Sequence, residues 1–302
     1  MSILITGATG FVSKNFIRMM LKSGYESKDM ILVVSKPDQA LETAGFRLLV
    51  HKNYTYSSEE LKALLKPAER IDTVIHLGAL TPKGTGSDET ADYEENVRTT
   101  KHLLETLPGD LDRFLFGSSV SVYNMDESTA DGRYGASKRA CEEILKKNLP
   151  DTELWLLRFG PIYGPGEEAY QKIAGTFLKK AMAGEDIYLR GDGSAVRHMV
   201  YVDDLCREII RILKQAPKPD SGSHTLDIVN ETPVTIRELA DFAVEITQSS
   251  SKIHTETQAV KRSALPQTET ALKDNEEKSA ERTRISYREG MQQLYHYLKE
   301  QS

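Results

Sequence analysis

Tyr134 and Lys138 stand four positions apart in Tyr134-Gly135-Ala136-Ser137-Lys138. On a helix that spacing puts both side chains on one face. An ammonium beside a phenol favours the phenolate, so the pairing is expected to lower the tyrosine pKa. A tyrosine tuned in that way exchanges protons near neutral pH. Fifteen residues before Tyr134, Ser119 closes an apolar run of strand type in Ser118-Ser119-Val120-Ser121-Val122-Tyr123. Its hydroxyl is placed to hold a substrate oxygen, with Ser118 as its nearest rival. The trio suits proton exchange on an alcohol or ketone while a cofactor moves the hydride. A tyrosine and a lysine four apart recur by chance, so the weight falls on the elements that position them.

The first such element is the N-terminus. Ile3 to Thr6 read as a strand, followed by Gly7-Ala8-Thr9-Gly10-Phe11-Val12-Ser13. Apolar residues then recur at helical spacing: Phe11, Val12, Phe16, Ile17, Met20 and Leu21. Gly24 stands where a helix C-terminal glycine belongs. Strand, glycine turn and helix are the context a dinucleotide-binding turn requires. Gly7 permits the tight turn. Gly10 admits backbone close to a pyrophosphate, whose charge a helix N-terminus favours. Thr9, Phe11 and Val12 complete this predicted cofactor turn.

Apolar runs at 3–6, 31–34, 47–50, 73–77, 113–117 and 153–158 alternate with helical patterns. The alternation predicts an α/β fold, a parallel sheet covered by helices on both faces. Ligands bind such sheets at the carboxyl ends of the strands, where Gly7, Ser35, Gly78, Ser119 and Pro161 fall. Ser57 to Glu60 and Thr235 to Glu238 read as capping boxes. A helix is expected over Tyr170 to Ala183, followed by Ile187 to Leu189 and the Gly191-Asp192-Gly193 turn. Asp203 and Asp204 are read as caps of the next helix. Residues 249 to 285, poor in apolar types, are expected to form a surface loop. A final amphipathic helix carries Met291, Leu294, Tyr295 and Leu298. The expected division is 1–165 as a cofactor-binding domain, to which 224–230 returns, and 166–302 as a smaller α/β substrate domain.

With 302 residues the chain can bury one large core or two moderate ones. A net charge of −6 with interspersed signs shows no basic stripe for nucleic acid. No run approaches the about 18 apolar residues of a membrane span. The first strand begins at Ile3, leaving no room for a secretory leader, and Cys141 and Cys206 read as buried thiols. A cytoplasmic location is therefore expected. The 7 histidines show no metal-ligand spacing, so no metal site is expected. His76 reads as a packed, hydrogen-bonded residue.

The motifs together resemble the extended short-chain dehydrogenases/reductases, the family of nucleotide-sugar epimerases, dehydratases and ketoreductases. The resemblance runs in order along nearly the whole chain. It comprises the Gly7 turn, Val74-Ile75-His76-Leu77-Gly78-Ala79, Asn96-Val97, Ser118 to Tyr123 and Tyr134 to Lys138. It continues through Arg158-Phe159-Gly160-Pro161-Ile162-Tyr163-Gly164-Pro165, Gly191 to Gly193, Arg197 and Val200 to Asp204. It implies a Rossmann-type doubly wound sheet, NAD or NADP as cofactor, and Ser119, Tyr134 and Lys138 as catalytic residues. Leu77, Gly78, Ala79 and Pro161 are implied on the cofactor, and Asn96 in support of the active site. Arg197, with Arg190 second, is implied on a substrate pyrophosphate, whose oxygens a guanidinium matches in a fork. Thr81 is placed to face the sugar. A homodimer is implied, paired through helices near 89–107 and 134–148, with Leu103, Leu104 and Leu107 supplying apolar area.

The departures from that pattern refine the expectation. Strand two runs into Val33-Val34-Ser35-Lys36 without the acidic residue that bonds an NAD ribose, so Ser35 and Lys36 tilt the cofactor toward NADP. Asn53 replaces a frequent aspartate near the adenine, and Ser13 replaces the third glycine. Val120 and Ser121 occupy the places of the dehydratases' Asp-Glu pair, which counts against dehydration. What remains is 4-epimerisation or 4-keto reduction of a nucleotide sugar. Reduction of a non-sugar carbonyl and a non-catalytic NAD(P) sensor are the alternatives. Retention of Ser119, Tyr134 and Lys138 weighs against the sensor.

Overall fold

The computed structural model describes residues 2–51, 56–67, 69–82, 93–107, 109–167, 172–218, 222–255 and 285–301. Its strands are β1 Ile3–Thr6, β2 Met30–Val34, β3 Arg47–Val50, β4 Thr73–His76, β5 Arg113–Ser119 and β6 Glu153–Phe159. They continue as β7 Ile162–Tyr163, β8 Ile187–Leu189, β9 Val196–Arg197, β10 Val200–Tyr201, β11 Ser223–Ile228, β12 Val234–Thr235 and β13 Ile253–Thr255. Seven of them form one sheet in the order β11-β6-β5-β4-β1-β2-β3. The pairings of β1 with β2 and β4, of β2 with β3 and of β4 with β5 are all parallel. Residues of β1, β2, β4 and β5 are buried throughout, as expected of strands covered on both faces. The chain fills the sheet outward from β1 in one direction, then from β4 in the other. The order therefore reverses between β1 and β4, where the turns after both strands open a crevice for a ligand.

The helices that carry the site are α1 Phe11–Lys22, α2 Gln39–Thr43, α3 Ser58–Ala63, α4 Glu94–Thr106 and α5 Ala130–Asn148. Ser57 and Glu60 form the expected reciprocal box at α3, and Thr129 caps α5 by accepting from Gly132 N. Gly24 follows α1 at φ 92°, the left-handed conformation anticipated for it. The core between sheet and helices includes Leu4, Ile31, Val74, Phe114, Cys141, Leu145 and Leu156. Leu103 belongs to this core at 1% exposure, with Leu104 and Leu107 packed against it. The apolar area assigned to a dimer face is thus largely used inside the subunit.

Two compact units emerge among the described residues. One takes residues through 82, 93–158 and 206–226; the other takes 159–205 and 227–301. The division falls after Arg158 rather than after Pro165. The returning segment also begins well before residue 224. A buried guanidinium fastens part of the returning segment to β5. Arg113, ion-paired with Glu153 at 2.6 Å, donates to the carbonyls of Ile212 at 3.0 Å and Gln215 at 3.1 Å. It thereby satisfies C-terminal carbonyls of α7, Val202–Lys214, which a sequence pattern does not reveal.

The second unit has its own core of Leu178, Ile187, Leu189, Leu239, Ala243, Met291 and Leu294. It carries α6 Ile173–Met182, α8 Ile236–Thr247 and the last helix, Tyr287–Gln301. The α6 helix starts at Ile173; Tyr170 lies outside the described residues. Thr235 and Glu238 box the start of α8 as expected. The expected loop over 249–285 needs correction at its start. Residues 253–255 form β13, parallel to β8, with Ile253 opposite Ile187. One apolar residue among serines gave little strand signal. The rest of that segment, 256–284, lies outside the described residues. Asp204 does not simply cap α7: its carboxylate accepts the Ile285 N–H at 2.8 Å and so anchors the lead into the last helix.

Candidate active site

The turn after β1 supports the cofactor reading on packing grounds. Gly7 adopts φ 65°, and a Cβ there would lie 2.5 Å from Gly78 Cα. Backbone freedom and space both require glycine, because the turns after β1 and β4 touch at this point. Gly10 then precedes α1, with no side-chain cap and no acidic residue in the first turn. The dipole of α1 favours an anion at this end of the helix. Thr9 is exposed at the tip, Val12 is half-buried and Phe11 is buried as the helix anchor. Ser35 and Lys36 leave the carboxyl end of β2 exposed. Leu77, Gly78 and Ala79 leave β4 beside the glycine turn. These residues fit a dinucleotide. Asn53 lies outside the described residues.

A polar chain ties the two turns to α5, the helix of Tyr134 and Lys138. Gly78 N donates to Thr6 Oγ1 at 3.1 Å, which contacts His76 Nδ1 at 2.6 Å. On the other side of the ring, His76 Nε2 meets Thr100 Oγ1 at 3.0 Å, and Thr100 donates to Asn96 O at 2.8 Å. Because Thr100 donates to Asn96, Nε2 carries a proton, and a neutral ring then leaves Nδ1 to accept from Thr6. Burial, and then the nearby Lys138, push His76 down to about 3, which keeps it neutral. It is a structural histidine, as expected. Asn96 pins Leu80 through both its backbone groups, at 2.8 and 3.1 Å, and donates to Ser137 Oγ at 3.2 Å. Ser137 in turn donates to Tyr134 O at 2.8 Å. Thr81, next to Leu80, is half-buried and positioned by the same clamp.

The candidate trio of Ser119, Tyr134 and Lys138 is held where α5 meets the end of β5. Lys138 Nζ donates to Gly117 O at 2.8 Å, two residues before Ser119. A Cβ on Gly135 would lie 2.0 Å from Ser121 O, two residues after it. The helix is therefore fastened to the strand end on both sides of Ser119, and the glycine beside Tyr134 is what allows the approach. Tyr134 is buried at 8% exposure, its ring edge-to-face with Tyr93 at 5.5 Å.

The expected lowering of the Tyr134 pKa does not follow from this geometry. Burial raises the phenol well above its ordinary value, and the nearby Asp131 adds to the effect. The Lys138 ammonium lies 5.8 Å from the Tyr134 ring centroid and 4.6 Å from that of Phe116. Its first partner is a carbonyl rather than the phenol. Lys138 itself is pushed down to about 8 by burial, against the opposing influence of Cys141 and Glu142.

The two serines part company here. Ser118 Oγ donates to Glu142 Oε1 at 2.6 Å. Glu142 is held by Arg158 at 3.0 and 2.7 Å, and Arg158 donates to Tyr123 Oη at 2.9 Å. Ser118 is thereby committed to a buried ionic cluster. Ser119 caps the 3₁₀ turn Val120–Tyr123, accepting from Ser121 N and donating to Ser121 Oγ, both at 3.1 Å. Ser121 Oγ donates to Asp131 Oδ1 at 2.6 Å. Glu142, Arg158, Ser121 and Asp131 had no site role in the sequence reading. Glu142 was nonetheless signalled by position, since Tyr134, Lys138 and Glu142 form an i, i+4, i+8 row on α5.

Pro161, Arg190 and Arg197 belong to the second unit, where all three are exposed. Arg197 lies on β9, paired antiparallel with β12, and its guanidinium donates to Val196 O at 2.8 Å. Pro161 O accepts from Val200 N at 2.8 Å. Among the described residues no three histidines, cysteines or carboxylates gather in a metal-binding arrangement. Cys141 and Cys206 are free buried thiols. None of the described helices is long and apolar enough to cross a membrane.

Residues 3–226 match the NAD dependent epimerase/dehydratase family. The chain belongs to this family. Several similar relatives are named for reactions on nucleotide sugars. A dTDP-4-dehydro-6-deoxy-D-allose reductase from Streptomyces sp is 27% identical over 269 residues, covering 81% of each chain. A CDP-abequose synthase from Salmonella muenchen is 26% identical over 262 residues, covering 83% of each. In fold, the chain is similar to the UDP-glucuronic acid 4-epimerase from Bacillus cereus in complex with UDP-glucuronic acid and NAD. The TM-score is 0.74 at 21% identity, over the whole of both chains. The protein is thus an enzyme of a nucleotide-sugar-modifying family.

Proposed function

We propose that the protein is an NAD(P)-dependent nucleotide-sugar 4-ketoreductase or 4-epimerase, with reduction of a 4-keto sugar as the first reading. The observation that carries it is the convergence of Ser119, Tyr134 and Lys138 where α5 is fastened to β5. A phenol held neutral by burial is a proton donor, the role that a ketone oxygen needs during reduction. The similar Streptomyces protein is a reductase of a dTDP-4-dehydro sugar, which supports the same direction. The second reading, 4-epimerisation, draws on the fold shared with the UDP-glucuronic acid 4-epimerase.

In this reading Tyr134 gives its proton to the sugar O4, Ser119 holds that oxygen, and Lys138 steadies the phenol and the cofactor ribose. Bound nicotinamide supplies the hydride. Gly7, Thr9, Gly10, Phe11 and Val12 would hold the pyrophosphate, and Leu77, Gly78, Ala79 and Pro161 the ribose beyond it. Arg197 and Arg190 would take the substrate diphosphate, and Thr81 the sugar. The purified enzyme should oxidise reduced cofactor in the presence of a nucleotide 4-keto sugar, and Tyr134→Phe should abolish that turnover while cofactor affinity stays near wild type. Near-full activity in Tyr134→Phe would reject the assignment. Retained NAD seen by native mass spectrometry would favour epimerisation, and empty protein reduction.

NADP is the cofactor we favour, although the UDP-glucuronic acid 4-epimerase binds NAD. Ser35 and Lys36 stand where an aspartate would repel a 2′-phosphate. A charge-assisted lysine contact is worth about 1.5–3 kcal/mol, or about one to two decades in affinity. Titration of both cofactors into wild type and Lys36→Ala should show a selective loss for NADP; equal wild-type affinities would return NAD to first place. We also place the enzyme in the cytoplasm as a homodimer paired through α4 and α5. The exposed residues there are charged, including Glu94, Arg98, Lys101, Glu143 and Lys146. A monomer in sedimentation at micromolar concentration would remove the dimer.

A further inference from the structure

We infer that Asp131 is a positioning residue that exchanges the Ser119 proton with solvent through Ser121. This inference deepens the ketoreductase reading and rests on it. The directions of the hydrogen bonds carry the argument. An ionised carboxylate only accepts, so Ser121 must donate its single hydroxyl proton to Asp131, at 2.6 Å. With that proton used, Ser121 Oγ accepts from Ser119, at 3.1 Å. Ser119 has then given its proton away. One of its lone pairs is occupied by Ser121 N–H at 3.1 Å, and the other is left. In that state Ser119 meets a substrate only as an acceptor, which matches a sugar hydroxyl.

A ketone oxygen needs a donor. One proton added at Asp131 reverses the whole chain: Asp131 donates to Ser121, Ser121 to Ser119, and Ser119 to the ketone. Ser119 and Ser121 are each buried at 8% exposure, whereas Asp131 is exposed on the first turn of α5. The relay therefore runs from water to the reacting oxygen with a carboxylate at the wet end. Asn124 Nδ2 donates to Asp131 Oδ2 at 2.8 Å, which fixes the carboxylate plane and leaves Oδ1 for Ser121. During reduction Tyr134 donates to O4 first. Its replacement proton enters at Asp131 and moves through Ser121 and Ser119 to the alcohol oxygen, which returns its own proton to Tyr134. Asp131, Ser121, Ser119 and Tyr134 each gain one proton and lose one, and the alcohol keeps the one proton taken from solvent per turnover. The carboxylate missing beside the strand-five hydroxyl, at Val120 and Ser121, is thus supplied from α5.

The test is Asp131→Ala, with formate added in trans because the site is open to water. Positioned proton transfer contributes about 10²–10⁴-fold where it is direct; for a relay through two hydroxyls we expect kcat to fall about tenfold, with KM for the nucleotide sugar within about twofold. Formate should restore at least half of kcat, and Asp131→Glu should retain most of it. Wild-type kcat in Asp131→Ala would overturn the relay. So would a loss that formate does not relieve and that Asp131→Glu shares. Wild-type protein inactive on every nucleotide sugar would sink the substrate reading alone. The relay is then judged by proton NMR of the ligand-free protein. The Ser121 hydroxyl proton should resonate downfield, vanish in Asp131→Asn and move in Ser119→Ala. A resonance indifferent to Ser119→Ala would overturn the relay whatever the substrate.

Discussion

Ser118 and Ser119 are chemically identical neighbours, yet one leads into a closed charge cluster and the other into an open chain. Ser118 reaches Glu142, which is 2% exposed and held by Arg158. Ser119 reaches Ser121 and then Asp131, which stands in water. Consecutive residues of a strand point to opposite faces, so a one-residue step in sequence selects different surroundings. Each chain ends on a carboxylate. One carboxylate is buried and ion-paired with Arg158; the other is exposed. The closed cluster suits holding α5 against the strand end, and the open one suits chemistry.

The largest expected effect sharpens that contrast. Glu142→Ala leaves the Arg158 guanidinium partly buried without its partner and should cost roughly 3–5 kcal/mol of stability. Removing the same group in Asp131→Ala leaves the Ser121 hydroxyl without its acceptor, but the carboxylate itself stands in water, so the cost should be smaller, about 1–2 kcal/mol. Urea unfolding of both variants measures the difference, and equal costs would break the comparison.

Next comes Lys138, the buried cation between the two chains. Its folded-state pKa, about 8, is below the unfolded value near 10.5. The unfolded chain therefore binds more protons between those limits, and wild-type stability rises as pH increases from about 8 to 10.5. Lys138→Met has no such charge and should lack this contribution. The stability difference between variant and wild type should therefore change by about 3 kcal/mol in favour of wild type across that window. Paired thermal melts at about pH 7.5 and 10.5, bracketing the window, read it. A pH-independent difference would contradict the burial argument.

The serines themselves give the smallest and most direct separation. Ser119→Ala should reduce kcat about 10²-fold, equivalent to about 2.7 kcal/mol of barrier. Ser118→Ala should leave kcat within about threefold but remove about 1 kcal/mol of stability, the worth of one buried hydrogen bond. Kinetics and unfolding on the two variants would expose a reversed assignment at once.

Much of this frame was readable before any coordinates. Hydrophobic runs located β1 through β6, because strands of a sheet covered on both faces are apolar along most of their length. Gly7, Gly24, Ser57 and Thr235 marked turns and caps, because only a few residue types satisfy those backbone positions. His76 and Asn96 were recognised as structural from their places at a strand end and on a helix. The strand β13 went unseen, since Ile253 stands alone among polar residues and strand pairing with Ile187 supplies what its own sequence lacks. A contact of the same kind ties the first unit together: Arg113 reaches the end of α7 from about a hundred residues away in sequence.

The amino-acid sequence by itself determined the family and the order of elements, and it offered Ser119, Tyr134 and Lys138 as the candidate trio, because these depend on residue type and local spacing. Tertiary structure alone decided which serine is committed to Glu142, where the Lys138 proton points, and why the Tyr134 phenol stays neutral. Those properties come from burial and from partners distant in the chain. Desolvation and hydrogen-bond direction act through space, and neither is written in the spacing of residues along a helix.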